Sequence, residues 1–267
     1  MKVCTNSGRR RPGLASGRFP AWYQDAVAGL PDLPALPSAR RRSNDLCRQA
    51  HRRSVHLMTV SLAVAAEGHT PALLLRPWQA ADMLGLLAAM DHDYPSQGLR
   101  PHPDIDAGPG RWTGPRDDHE AAIWLSGQDR GWRIGDWLTL AVLDQQGRVL
   151  GQVGLTNRAG GRIGDGGFGE IHYWTAAEAR GLGIAPSAVR AMTRWAFGCF
   201  GSEGLPLIML VHYLDNLASC RVAGKSGYPF WEVSPANPPF WRTAGHVHVA
   251  ASRPGIPIPA SLVRSDG

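Results

Sequence analysis

The chain has 267 residues, 43% of them hydrophobic, and a formal net charge of +6, which suits one large domain or a medium domain with an appendage. No apolar run approaches the ~18 residues needed to span a bilayer. The four cysteines, Cys4, Cys47, Cys199 and Cys220, are scattered and make no C-x-x-C, so neither a disulfide framework nor a zinc site is suggested by their spacing.

The charge is uneven. Residues 1–57 carry 11 Lys/Arg against 3 Asp/Glu, whereas the rest of the chain carries 17 against 19. Arg9-Arg10-Arg11, Arg40-Arg41-Arg42 and Arg52-Arg53 stand in this leader among Pro and Gly, without sustained apolar periodicity. Residues 1–57 are therefore expected to be a basic, disordered N-terminal extension, able to make weak nucleic-acid or ribosome contacts through its arginines. The composition changes sharply at Met58, which leaves a start of synthesis there as a competing reading. Leu57–Ala66 faintly resembles a secretion signal but is short and lies some fifty residues in, so a cytoplasmic protein without membrane segments is expected.

Leu73-Leu74-Leu75 reads as a short strand ended by Arg76-Pro77. Ala80–Met90 reads as a helix with Met83, Leu84, Leu87 and Met90 on one face. Tyr94–Pro115, rich in Pro, Gly and Asp, is a long loop. Asp117-Asp118-His119-Glu120 opens a second helix, acidic in its first turn, running to about Leu125; Ile123 stands where a zinc-protease motif needs its second histidine. Trp137–Leu143 and Val149–Thr156 form a hairpin through Asp144–Arg148. The glycine-rich stretch Asn157–Gly167 leads into the strand Phe168–Trp174. A helix over Pro186–Phe197 follows, then the doubly buried strand Leu207–His212, a helix after Asn216, and a closing hairpin of Trp231–Val233 with His246–Ala250. Residues 254–267 read as a loose C-terminal tail. This order predicts an α/β fold: a mixed, mostly antiparallel central sheet flanked by helices.

Between the Phe168 strand and the Pro186 helix lies Ala179-Arg180-Gly181-Leu182-Gly183-Ile184-Ala185. Strand, glycine loop and helix together can hold phosphate, because the first helical N–H groups lack partners and the helix dipole favours an anion. Gly181 and Gly183 let backbone approach the ligand, and Arg180 adds a positive charge. Ala185-Pro186 replaces the Lys-Ser/Thr of a P-loop, and Pro186 replaces the third glycine of a dinucleotide fingerprint.

Arg180–Ala185 resembles the Arg/Gln-x-x-Gly-x-Gly/Ala signature of the GNAT superfamily of N-acetyltransferases. Asp215-Asn216-Leu217-Ala218-Ser219-Cys220-Arg221-Val222-Ala223-Gly224-Lys225-Ser226-Gly227-Tyr228 resembles the Asn-x-Ala-Ser-x-Arg-Val-Ala-Glu-Lys-x-Gly-Phe stretch of the branch containing the ribosomal-protein N-terminal acetyltransferases. The resemblance places the catalytic domain at 70–251 and implies the acyl-CoA N-acyltransferase fold, with acetyl-coenzyme A as co-substrate. It implies that Arg180, Gly181, Leu182, Gly183, Ile184 and Ala185 hold the pyrophosphate. It also implies that a backbone N–H of Tyr173 or Trp174 meets the thioester carbonyl, that Asn216 and Ser219 lie on the coenzyme side, and that Tyr94–Pro115 lines the acceptor pocket.

For proton transfer, period-2 alternation puts Glu170, His172 and Trp174 on one strand face. Glu170 matches an acidic residue common in the branch. His172 stands where the branch usually has glycine, and imidazole is suited to take a proton near neutral pH. Against these stand a polar strand residue satisfied by a neighbour, a packing histidine, and catalysis by positioning alone. The tyrosine with which many members protonate the departing thiolate is Ala223 here, leaving Ser219 as the hydroxyl near the sulfur; Ser219 and Asn216 also suit a helix N-terminus in their own right. His246-x-His248 puts two imidazoles on one strand face with no third ligand evident, so no metal is expected. The ten tryptophans read as core or pocket wall. The function implied is transfer of acetyl from acetyl-coenzyme A to a primary amine, a protein N-terminal α-amine or a small molecule, by direct attack in a ternary complex within a monomer or homodimer. The other class is a non-catalytic coenzyme A-binding module acting through its basic arm on RNA or the ribosome.

Overall fold

The computed structural model describes residues 60–90, 114–158, 160–202, 204–236 and 243–258. The leader 1–57, most of the Tyr94–Pro115 loop and the end of the tail lie outside these residues. The run Trp137–Leu143 forms β3, buried along its whole length, as a continuous apolar strand covered on both faces should be. Around it the strands β1 (Leu62–Val64), β2 (Leu73–Pro77), β4 (Val149–Asn157), β5 (Gly169–Thr175), β6 (Leu207–Tyr213), β7 (Phe230–Ser234) and β8 (Gly245–Ala251) make one sheet of order β1-β2-β3-β4-β5-β6-β8-β7. Every neighbouring pair is antiparallel except β5 and β6. The expected mixed, mostly antiparallel sheet flanked by helices is the fold observed. The sheet begins at Leu62, ahead of residue 70, and β8 inserts between β6 and its hairpin partner β7.

Helix α1 (Met83–Ala89) follows a 3-10 turn over Ala80–Asp82. Its buried residues are Leu86 and Ala89, with Met83, Leu87 and Met90 packed against the core; Leu84 is 74% exposed. The stripe is therefore 83/86/87/90, not 83/84/87/90. Both spacings are helical, and only the packing partners choose between Leu84 and Leu86. Asp82, itself buried, takes both guanidinium nitrogens of Arg76 at 2.7 and 2.8 Å, a bidentate pair that ties α1 to β2.

Helix α2 runs over Asp118–Ile134, well past Leu125. Asp117 caps it by accepting from the Glu120 N–H at 2.8 Å, and Gly135 ends it at φ 85°. Inside it, Gly131 lets the helix lie against β3: a Cβ there would stand 2.5 Å from the Trp137 carbonyl oxygen. Gly127 and Gly131, which lower helix propensity, hide this length in the sequence. Helices α3 (Ile184–Phe200) and α4 (Leu217–Lys225) complete the flanks.

The main core lies between the sheet and its helices. A second cluster on the other face of β6 and β8 gathers Phe168, Leu207, Met209, Val211, Val247 and Val249 under Ile256 and Ile258. The first residues of the expected tail therefore pack into the domain. Among the described residues no helix is long and apolar enough to cross a membrane.

Candidate active site

The site is built where β5 meets β6. Their pairing consists of Gly169↔Ile208 and Glu170↔Met209, whereas β5 pairs with β4 as far as Thr175 and β6 with β8 as far as Tyr213. Beyond Glu170 the two parallel strands part, and a cleft opens between residues 171–175 and 210–213. A strand edge released from its ladder offers backbone N–H and C=O groups to an extended ligand.

One wall of the cleft is the glycine loop. The chain leaves β5 through a 3-10 turn, Ala177–Ala179, and enters α3 through Gly181 at φ 81° and Gly183 at φ 75°. Gly183 is the N-cap and brings no capping side chain, so no N-cap side chain competes with an outside acceptor for the first-turn N–H groups. A Cβ at Gly181 would meet nothing within 4 Å, while one at Gly183 would collide with Thr70 Oγ1, carried there by the turn between β1 and β2. Arg180 is exposed and donates from Nε to the Thr175 carbonyl at 3.3 Å. Leu182 is exposed and Ile184 is buried in the core.

The other wall is the start of α4. Asn216 caps it, its Oδ1 accepting from the Ser219 N–H at 3.1 Å. The Tyr173 hydroxyl donates to Ser219 Oγ at 3.0 Å, linking β5 to α4. Desolvation pushes this phenol up to about 12, against the opposing hydrogen bond with Ser219, so it keeps its proton at neutral pH. The role of this side chain was not legible in the sequence, because its partner is 46 residues away.

Glu170, His172 and Trp174 share a face as expected, opposite Thr156, Gly154 and Gln152 of β4. Both Glu170 and His172 are buried. Arg158 Nη1 donates to Glu170 Oε2 at 3.0 Å. The His172 ring lies against Trp137, centroids 5.0 Å apart, in space left by Gly154, where a Cβ would strike the imidazole. Trp174 stacks on Trp78 at 6.4 Å, and Trp78 meets the edge of Trp124 at 5.1 Å, so three tryptophans form an aromatic wall on this face. One further grouping was missed from sequence: His212, Cys220, His246 and His248 converge beside α4, so that His212 and Cys220 add a third and a fourth possible ligand to His246-x-His248.

A family profile described as the acetyltransferase (GNAT) domain matches residues 72–229, more than half of the chain. The chain belongs to the GNAT family of acetyltransferases. It is an acyltransferase, and acetyl-coenzyme A is its co-substrate. No curated protein matches it. Solved structures share the fold. The RimJ of Mycobacterium smegmatis, in complex with CoA-disulfide, is 19% identical with a TM-score of 0.54, covering 72% of this chain and 86% of that one. The ribosomal-protein-S5-alanine acetyltransferase of Vibrio fischeri is 15% identical with a TM-score of 0.54, covering 72% and 97%. The microcin C7 self-immunity acetyltransferase MccE, in complex with acetyl-CoA and AMP, is 14% identical with a TM-score of 0.54, covering 72% and 98%. The site of this GNAT acetyltransferase fits its co-substrate: a glycine-capped helix start with open space at Gly181 suits a pyrophosphate, and the released β5 edge suits the amides of a pantetheine arm.

Proposed function

We propose that this acetyltransferase moves acetyl from acetyl-coenzyme A to a primary amine by direct attack, with both substrates bound together. The parting of β5 and β6 beside the glycine-capped start of α3 is the observation that carries this reading. Bound acetyl-coenzyme A supplies an activated acetyl thioester. The backbone of Arg180, Gly181, Leu182, Gly183, Ile184 and Ala185 holds the pyrophosphate. The β5 edge at Tyr173 and Trp174 offers an N–H to the carbonyl oxygen where negative charge grows.

Ser219, fixed by the Asn216 cap and oriented by the Tyr173 hydroxyl that donates to its Oγ, gives its proton to the departing sulfur and regains one from solvent, to which the proton taken from the amine returns. Ser219 thus stands in for the tyrosine acid whose position is Ala223 here. On the opposite face of β5, Glu170 takes the proton of the amine, and Arg158 holds one oxygen of its carboxylate. His172 packs between Trp137 and Gly154. The acceptor favoured is a peptide N-terminal α-amine before a small-molecule amine, a choice supported by the Vibrio fischeri neighbour, named for its action on alanine of a ribosomal protein.

Acetylation of short peptides, amino acids and polyamines by the wild type, Glu170→Gln and His172→Gly tests these roles. Glu170→Gln is expected to lower kcat at least tenfold with little change in KM and to flatten the rise of kcat/KM with pH. His172→Gly, the residue usual in the branch, is expected to keep kcat within a few-fold. Loss in the glycine variant alone would move the role to His172; near-normal rates and an unchanged pH profile in both would leave positioning of an already neutral amine to account for catalysis.

A further inference from the structure

Four side chains distant in sequence meet on the face of β6 and β8 against which α4 packs. His212 and His246 are direct cross-strand partners, and His248 stands two residues along the same face of β8. Cys220 reaches them from the first turns of α4. Cys220 Sγ lies 3.3 Å from His212 Nε2, 3.2 Å from His246 Nδ1 and 3.8 Å from His248 Nε2. The two Nε2 atoms of His212 and His248 are 3.3 Å apart, and all four ligand atoms lie within 4.8 Å of one another. A tetrahedral zinc ion, with bonds of about 2.0–2.1 Å to nitrogen and about 2.3 Å to sulfur, separates its ligands by about 3.3 Å between nitrogens and about 3.5 Å between nitrogen and sulfur. The Nε2···Nε2 separation equals the first of these values, and the three separations from Sγ, 3.2 to 3.8 Å, bracket the second. The remaining two both involve the half-buried His246 and are no longer than 4.8 Å.

Hydrogen accounting points the same way. His212 Nδ1 lies 2.8 Å from the Tyr213 carbonyl oxygen, and His248 Nδ1 lies 3.2 Å from that of Tyr228. A carbonyl only accepts, so each Nδ1 carries the ring proton and each neutral ring aims a bare Nε2 lone pair at the other. This is the arrangement that second-shell carbonyls impose on metal-bound histidine. A single thiol proton from Cys220 can serve one of the three facing nitrogens, not all of them. A cation at the centre satisfies all four groups at once. Phe230 lies edge-on to His246 and His248 at 5.4 and 5.8 Å and screens the cluster.

We infer that His212, Cys220, His246 and His248 form a closed tetrahedral site for one divalent, zinc-type cation. One thiolate and three imidazoles fill all four corners and leave no open position, which marks a structural rather than a catalytic site. Its place gives it a purpose: it pins the start of α4 to β6 and β8 one residue beyond Ser219, and so fixes one wall of the cleft. Binding releases the thiol proton and couples the ion to folding.

The full-length protein, stripped with a chelator and titrated with cobalt(II) and then zinc(II), tests the site. Expected are one equivalent of cobalt with the intense visible bands of a tetrahedral complex and a thiolate charge-transfer band, displacement of both by one equivalent of zinc, and a rise in Tm with zinc. Cys220→Ser is expected to abolish the charge-transfer band from this site and weaken zinc binding at least tenfold, which separates it from any metal held by other cysteines. His246→Gln, at a half-buried position, provides a second variant should the serine variant fold poorly, and is expected to lose the tetrahedral spectrum. Failure of the wild type to retain zinc against a competing chelator, or a spectrum and affinity unchanged in both variants, would overturn the site.

Discussion

Gly181 and Gly183 look alike in sequence and differ in the fold. Both have positive φ, where a side chain costs roughly 1–2 kcal/mol. Around Gly181 the space is open, while the space beside Gly183 is taken by Thr70. Gly181→Ala is therefore expected to lower Tm by only a few degrees yet weaken acetyl-coenzyme A binding at least tenfold, because the methyl enters the space assigned to the pyrophosphate. Gly183→Ala is expected to lose clearly more stability. Thermal unfolding beside calorimetric titration of both variants checks this; equal affinity in Gly181→Ala and wild type would remove the loop from the coenzyme site. The glycine loop was legible because its conformation is set locally, by residues next to each other. The Tyr173–Ser219 bond and the His212, Cys220, His246 and His248 cluster were not, because each is made only when β5, β6, β8 and α4 are brought together.

At the scale of elements, what could be read was what has a period. The apolar run of β6 and the β-branched and aromatic residues of β5 placed those strands to within a residue, the alternation of β5 gave its faces, and Pro186 fell in the first turn of α3 as its missing N–H allows. The length of α2 was hidden by glycines that serve contact with β3, and the stripe of α1 was ambiguous between Leu84 and Leu86 until the core chose. The start of the domain was likewise set by packing: Val60, Leu62 and Val64 lie against the main core, and β1 covers the edge of β2. A chain beginning at Met58 is expected to fold and bind acetyl-coenzyme A like the full-length protein. One beginning at Thr70 loses β1 and exposes that edge, so it is expected to melt several degrees lower and to aggregate. Thermal unfolding and light scattering of the two chains check this; equal behaviour would show that β1 adds nothing to the sheet.

Across the whole molecule, one irregularity in the sheet organises the rest. Antiparallel pairing runs unbroken from β1 to β5 and again through β6, β8 and β7, and the parallel seam between the two halves closes over two residues. The glycine loop, the Tyr173–Ser219 bond and the Glu170–Arg158 pair all lie along that seam, on its two faces and at its open end. Direct transfer between two bound substrates is what this arrangement supports. Cys220, next to Ser219, offers the competing route in which the acetyl group rests on a thiol between two half-reactions. Initial-rate kinetics with acetyl-coenzyme A and a peptide amine varied together test the two routes most directly. Intersecting double-reciprocal lines, with no acetyl group found on Cys220 by mass spectrometry after incubation with acetyl-coenzyme A alone, are expected for direct attack; parallel lines and an acetylated Cys220 would contradict it.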